Sequence, residues 1–122
     1  MPVPTLEPTI TPTPTSVPTP TAIPTPTSVP TPTPSPYAKG ESYRDEENWA
    51  MAIREYSAAI ELDAEDRDAY FFRAYSYHKI SNHWSAITDY DKVLELRTSS
   101  VAYKNRGDVY SDMGRYEQAI YD

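Results

Sequence analysis

The chain has 122 residues, a formal net charge of −7, three glycines and no cysteine. The missing cysteine rules out disulfides, thiolate zinc sites and thiol nucleophiles, and the acidic balance argues against nucleic acid as a partner, since phosphate backbones require a basic face. No apolar run approaches membrane-spanning length, so direct membrane insertion is not expected either.

Composition divides the chain in two. All 13 prolines lie at or before Pro36, and residues 1–36 hold one charged side chain, Glu7, and no aromatic. The remainder carries 17 of the 18 acids, all 11 bases and all 11 tyrosines. Within the first part, PTPTSVPTPT occurs at Pro12–Thr21 and again at Pro24–Thr33. Proline fixes φ, removes a backbone donor and pushes the residue before it toward extended geometry, so residues 1–36 are expected to form a disordered Thr/Pro-rich linker of polyproline-II character. At ~3.1 Å per residue it would reach roughly 100 Å. It holds no base, the first of the chain being Lys39, which disfavours a role as ligand for proline-binding modules, since these usually want a cation beside the prolines. Its 11 threonines and three serines are glycan acceptors by composition alone. The opening residues lack the basic start and apolar stretch of a signal peptide. The linker is similar to those of bacterial surface and secreted proteins, which favours an extracytoplasmic or cell-surface location while leaving the cytoplasm open.

From Tyr37 onward the chain repeats. Gly40, Ala74 and Gly107 are followed at a constant offset by Tyr43, Tyr77 and Tyr110, and then by Ala52, Ala86 and Ala119. Trp49, His83 and Tyr116 keep register too, as do Tyr56 with Tyr90 and Leu62 with Leu96. Apolar residues recur at three and four, as in Ala52, Ile53, Tyr56, Ala59 and Ile60, which fits a helix and not a strand. Asn82 and Gly114 break paired helices, and the polar stretches 63–66 and 98–100 separate units about 33–66, 67–99 and 100–122. The small residues allow close helix approach, and the tyrosines are expected to fill the core beside them.

These columns resemble the tetratricopeptide repeat, with Tyr70, Ala74, Tyr77, Ala86, Tyr90 and Leu96 as matching residues in the clearest unit. The resemblance implies an all-α, right-handed superhelical stack of antiparallel helix pairs over residues 37–122, a non-enzymatic scaffold that binds a peptide or partner protein in its concave groove. Ala64 and Thr98 stand where the family usually has proline, and the first helix, starting near Tyr37 inside the proline tract, is expected to be short. The third unit stops at Asp122 within its second helix, so the sequence reads as a fragment, with self-association expected through exposed apolar residues such as Ile120.

In this family the first helix of each pair lines the groove, which makes Tyr37, Arg44, Phe71, Tyr75, His78, Lys79, Lys104 and Asp108 the candidate peptide-binding residues. Phe71 and Tyr75 share one helix face and form an aromatic centre among mixed charges. Some members clamp acidic chaperone tails with Lys, Asn and Arg; the corresponding places here hold Tyr37, Glu41, Phe72, Val101 and Asn105, so that partner is disfavoured. No catalytic constellation is apparent. His78 and His83 are five apart, no glycine-rich phosphate loop can be drawn, and the acidic clusters lack the pattern of a calcium site, so no enzyme activity, metal or cofactor is expected. The alternative is an accessory repeat domain of a larger surface enzyme or receptor whose working domain lies outside this sequence.

Overall fold

The computed structural model describes residues 1–115. The chain divides into two units, Met1–Thr31 and Pro32–Asp122. Residues 1–35 contain neither helix nor strand and are exposed throughout. The second unit holds helices α1 (Pro36–Asp45), α2 (Trp49–Leu62), α3 (Arg67–Lys79), α4 (His83–Leu96) and α5 (Ser100–Asp112). No strand occurs among the described residues. Ala119 and Ile120, and with them the expectation of self-association, lie outside the described residues.

Each helix begins where a short polar side chain satisfies an orphan backbone N–H. Ser35, Asn48, Asp66, Asn82 and Ser99 accept from the amides of Ala38, Met51, Ala69, Ser85 and Ala102. Pro36 occupies the first turn of α1, where its missing N–H is harmless. That helix has 10 residues against 13 or 14 in the others, so it is the short helix anticipated from the proline tract.

The turns that follow α1, α3 and α5 are one structure used three times. Asn48, Asn82 and Arg115 donate their amides to the carbonyls of Tyr43, Tyr77 and Tyr110 at 2.8, 2.9 and 2.8 Å. The preceding residue is left-handed each time: Glu47 at φ 56°, Ser81 at φ 61° and Gly114 at φ 72°. Glycine suits that conformation, and the other two side chains bear strain in it. Such short turns make α1 and α2, and α3 and α4, antiparallel neighbours. Each helix packs on the next, and α3 also reaches α5, giving an all-α stack of helix pairs.

Alanine and aromatic residues build the core. Ala52, Tyr56, Ala59 and Ala69 form one buried cluster, with Tyr37, Tyr43, Ile60 and Phe72 packed against it. A second cluster holds Ala74, Ala86, Ile87, Tyr90, Val93, Ala102 and Val109. Among the described residues the fully buried tyrosines are Tyr56 and Tyr90, from the second helices. The column Tyr43, Tyr77 and Tyr110 is half-buried and packs on the clusters from outside.

One buried ion pair ties the pairs together. Arg73 on α3 donates from Nε and Nη2 to both oxygens of Asp89 on α4, at 2.7 and 2.8 Å, and from Nη1 to the Ser57 hydroxyl on α2 at 3.1 Å. Asp89 is 4% exposed. Burial pushes its carboxyl up, opposed by the hydrogen bonds from Arg73, while the same hydrogen bonds hold the guanidinium charged.

Candidate functional site

Helices α1, α3 and α5 line two adjoining cavities of about 440 and 410 Å³. The first has an aromatic wall of Trp49, Phe71, Phe72 and Tyr75, with Arg44, Asp45 and Glu47 at one side and Asn105 at the other. The second is polar: His78 and Lys79 come from α3, and Lys104, Asp108 and Asp112 from α5. Tyr75 and Asn105 belong to both, so the two form one trough.

Aromatic contacts fix the apolar end. Trp49 meets Tyr75 edge to face at 5.9 Å, and Phe71 meets Phe72 at 5.3 Å and the buried Tyr90 at 5.7 Å. Phe71 is therefore both trough lining and core packing. The Arg44 guanidinium lies 4.3 Å above the Phe72 ring, and Lys79 Nζ lies 5.1 Å from the Tyr75 ring. At the polar end Lys104 pairs with Asp108 at 2.9 Å. His78 Nε2 lies 2.6 Å from Asp112 Oδ2, joining α3 to α5, and the His78 and His83 rings are 5.9 Å apart across the α3–α4 turn. No cluster of three potential metal-ligating side chains occurs among the described residues.

Seven of the eight residues expected from the sequence line this trough: Arg44, Phe71 and Tyr75 the first cavity, and His78, Lys79, Lys104 and Asp108, again with Tyr75, the second. Tyr37 lines neither. Its ring packs edge to face on Tyr56 at 5.7 Å and on Phe72 at 6.3 Å, and burial, followed by the nearby Glu41 charge, pushes its phenol up to about 12. The short α1 begins only one residue earlier, which leaves this ring to cover the end of the first cluster.

Trp49, Phe72 and Asn105 line the trough without being among the eight candidates. Trp49 opens α2, a second helix, and reaches the trough from its first turn. Its signal was the register it shares with His83, which also contacts α3. Phe72 and Asn105 occupy places of the family's carboxylate clamp, where an aromatic ring and a neutral amide now stand.

Stacked helix pairs with a side-chain-lined trough across their first helices define a helical-repeat scaffold. The sequence matches the TPR repeat over residues 40–81 and the tetratricopeptide repeat over residues 68–99 and 101–120. The chain belongs to the tetratricopeptide repeat family, whose members are typically non-catalytic scaffolds for protein partners. It is 33% identical over 73 residues to DnaJ homolog subfamily C member 3 of Gallus gallus, covering 60% of this chain and 14% of that protein. It is 30% identical over 78 residues to a tetratricopeptide repeat and J domain-containing co-chaperone of Cryptococcus neoformans, covering 63% and 15%. The chain thus spans a small part of these relatives' length. Among solved structures, the Arabidopsis OM64 TPR domain superposes with a TM-score of 0.67 at 26% identity, covering 69% of this chain and 70% of that one. A crystal structure of MamA gives a TM-score of 0.67 at 25% identity, covering 70% and 51%.

Proposed function

We propose that the chain is a protein-interaction module whose trough holds an extended peptide segment of a partner. The carrying observation is the continuity of an aromatic cavity with a charged one through Tyr75 and Asn105. A peptide laid along α1, α3 and α5 inserts an apolar side chain between Trp49, Phe71 and Tyr75 and sets polar groups against the α5 end. The partner's charged residue at that end is a cation. Among the described residues the Lys and Arg side chains lining the trough are engaged, Arg44 with Phe72, Glu41 and Asp45, Lys79 with Tyr75, and Lys104 with Asp108, and Asp112 is engaged with His78, so the sign of the partner's charge rests on the balance of the whole chain. The acidic surplus of the chain steers cationic segments toward it.

The test is a peptide-library screen on the intact chain, read by calorimetry and by tryptophan fluorescence with Trp84→Phe in place so that Trp49 alone reports. Tyr75→Ala should weaken the selected peptide by about tenfold or more, the size of a central anchor. Asp112→Asn should lower affinity mainly for peptides carrying Lys or Arg. Selected peptides that bind Tyr75→Ala as tightly as the parent would place recognition elsewhere.

A second reading makes the repeats the accessory part of a larger surface enzyme or receptor. It draws on the small share, 14% and 15%, that the matched region forms of the co-chaperone relatives. Under it the trough docks a segment of the same polypeptide.

A further inference from the structure

The Thr/Pro segment has an internal order finer than its twelve-residue repeat. It reads as PTPTSV, PTPTAI and PTPTSV at Pro12–Val17, Pro18–Ile23 and Pro24–Val29, followed by PTPTPS at Pro30–Ser35. Six residues are two turns of a polyproline-II helix, so each position of the unit returns to the same face about 19 Å further along. One face is then Pro14, Val17, Pro20, Ile23, Pro26 and Val29, apolar without interruption. The next carries Thr13, Ser16, Thr19, Thr25, Ser28 and Thr31, broken only by Ala22. The third alternates proline with the second threonine of each unit.

The structure agrees with that geometry. Residues 1–35 have no helix or strand, Val17, Ile23 and Val29 are 85, 89 and 86% exposed, and Ser35 has the φ of −62° and ψ of 157° of polyproline II. An apolar stripe is therefore held in water on a segment whose single charge is Glu7. Apart from the backbone carbonyls, its hydroxyls are the polar groups that solvate it, and both threonines are retained in all four units while the fifth and sixth positions vary.

We infer that the hydroxyl faces of this segment are a site of dense O-glycosylation. Attached sugars solvate the stalk and hold it extended, and they leave the Pro/Val/Ile stripe uncovered. In each transfer a threonine Oγ attacks the anomeric carbon of a phosphate-activated sugar. The glycosidic C–O bond forms, the bond from that carbon to the phosphate oxygen breaks, the phosphate departs with the electron pair, and the hydroxyl proton passes to a base of the transferase. Proline-directed phosphorylation would need only the threonines that precede proline. Thr15, Thr21 and Thr27 precede Ser16, Ala22 and Ser28 instead, yet are kept in every unit.

Trypsin reads the outcome directly, because the first base of the sequence is Lys39 and residues 1–39 leave in one piece. The full chain, isolated from the cells that naturally make it, should give this peptide as a mass ladder in hexose or hexosamine steps. Electron-transfer fragmentation should place the sugars on Thr13, Thr19, Thr25 and their neighbours. Replacing Thr15, Thr21 and Thr27 together by Val should shorten the ladder by up to three occupied sites and leave the helical unit unchanged. A peptide at its bare mass, or one bearing only phosphate steps, would overturn the proposal.

Discussion

Gly40 is the tightest point of the first helix pair, and Gly40→Ala tests how the core is packed. A methyl group there would stand 2.7 and 2.8 Å from two carbons of the Tyr56 ring, well inside van der Waals contact. The ring has little room to retreat: it is fully buried, with Tyr37 edge-on at 5.7 Å and Phe72 stacked at 6.0 Å. Overpacking of this kind costs about 1–3 kcal/mol. Replacing a mid-helix glycine by alanine returns roughly 0.5–1 kcal/mol. The net expectation is a loss of about 1 kcal/mol, reaching ~2 if the ring stays fixed, or several degrees in Tm for a folded part of this size. Thermal and urea unfolding followed by circular dichroism measure it. The companion is Tyr56→Leu, which is itself destabilising but removes the clash, so adding Gly40→Ala to it should be neutral or stabilising. A higher midpoint for Gly40→Ala alone would show that the ring does not lie on α1 as described.

Two further outcomes follow from backbone and titration. Glu47→Gly and Ser81→Gly relieve left-handed strain at turns where Gly114 already stands, and each should raise unfolding stability by roughly 0.5–1 kcal/mol in urea melts; if neither does, the turns relax elsewhere. In alkali, burial keeps the Tyr56 phenol protonated in the fold up to about 12, against about 10 in the unfolded chain. Its folded pKa is raised, so the stability it supports is complete below pH ~10 and is lost as pH climbs toward ~12, by roughly 2 kcal/mol. Stability measured across that window, with tyrosinate absorbance alongside, should fall less steeply in Tyr56→Phe.

The repeat was legible because its columns are set by contacts that recur in every unit. Small residues at Gly40 and Ala74 meet the second helices, and caps such as Asn48 and Asn82 start them. The helix breaks followed from that register, whereas the trough's first-helix origin came from the resemblance to the family. What stayed hidden depends on contacts between units. Arg73 and Asp89 sit where periodicity offers no distinction between surface and core, and only α2, α3 and α4 together bury them. Tyr37 had the position of a groove residue, but a shortened α1 turned its ring onto Tyr56 and Phe72. Trp49 was visible as a column, yet which column reaches a trough depends on the angle between pairs, and no spacing encodes that.

The co-chaperone relatives share the scaffold, and the trough chemistry separates this chain from a carboxylate clamp. A clamp needs cations free to meet an anionic tail, whereas the five clamp places here hold Tyr37, Glu41, Phe72, Val101 and Asn105. Tyr37 and Phe72 are spent on packing, Val101 is 55% exposed, and Glu41 brings a like charge to an incoming carboxylate. For an anion, Arg44 would be shared with the Phe72 face, Glu41 and Asp45, and Lys104 with Asp108. Specificity is a difference between affinities, and on the proposed peptide-binding reading an acidic tail is disfavoured by repulsion at Glu41 and by competition for bases already engaged. A segment with an apolar anchor and a cation avoids the repulsion at Glu41 and competes only with Lys104 for Asp108 and with His78 for Asp112, so Tyr75→Ala and Asp112→Asn, one at each end of the trough, are the pair of changes that divides the two kinds of partner.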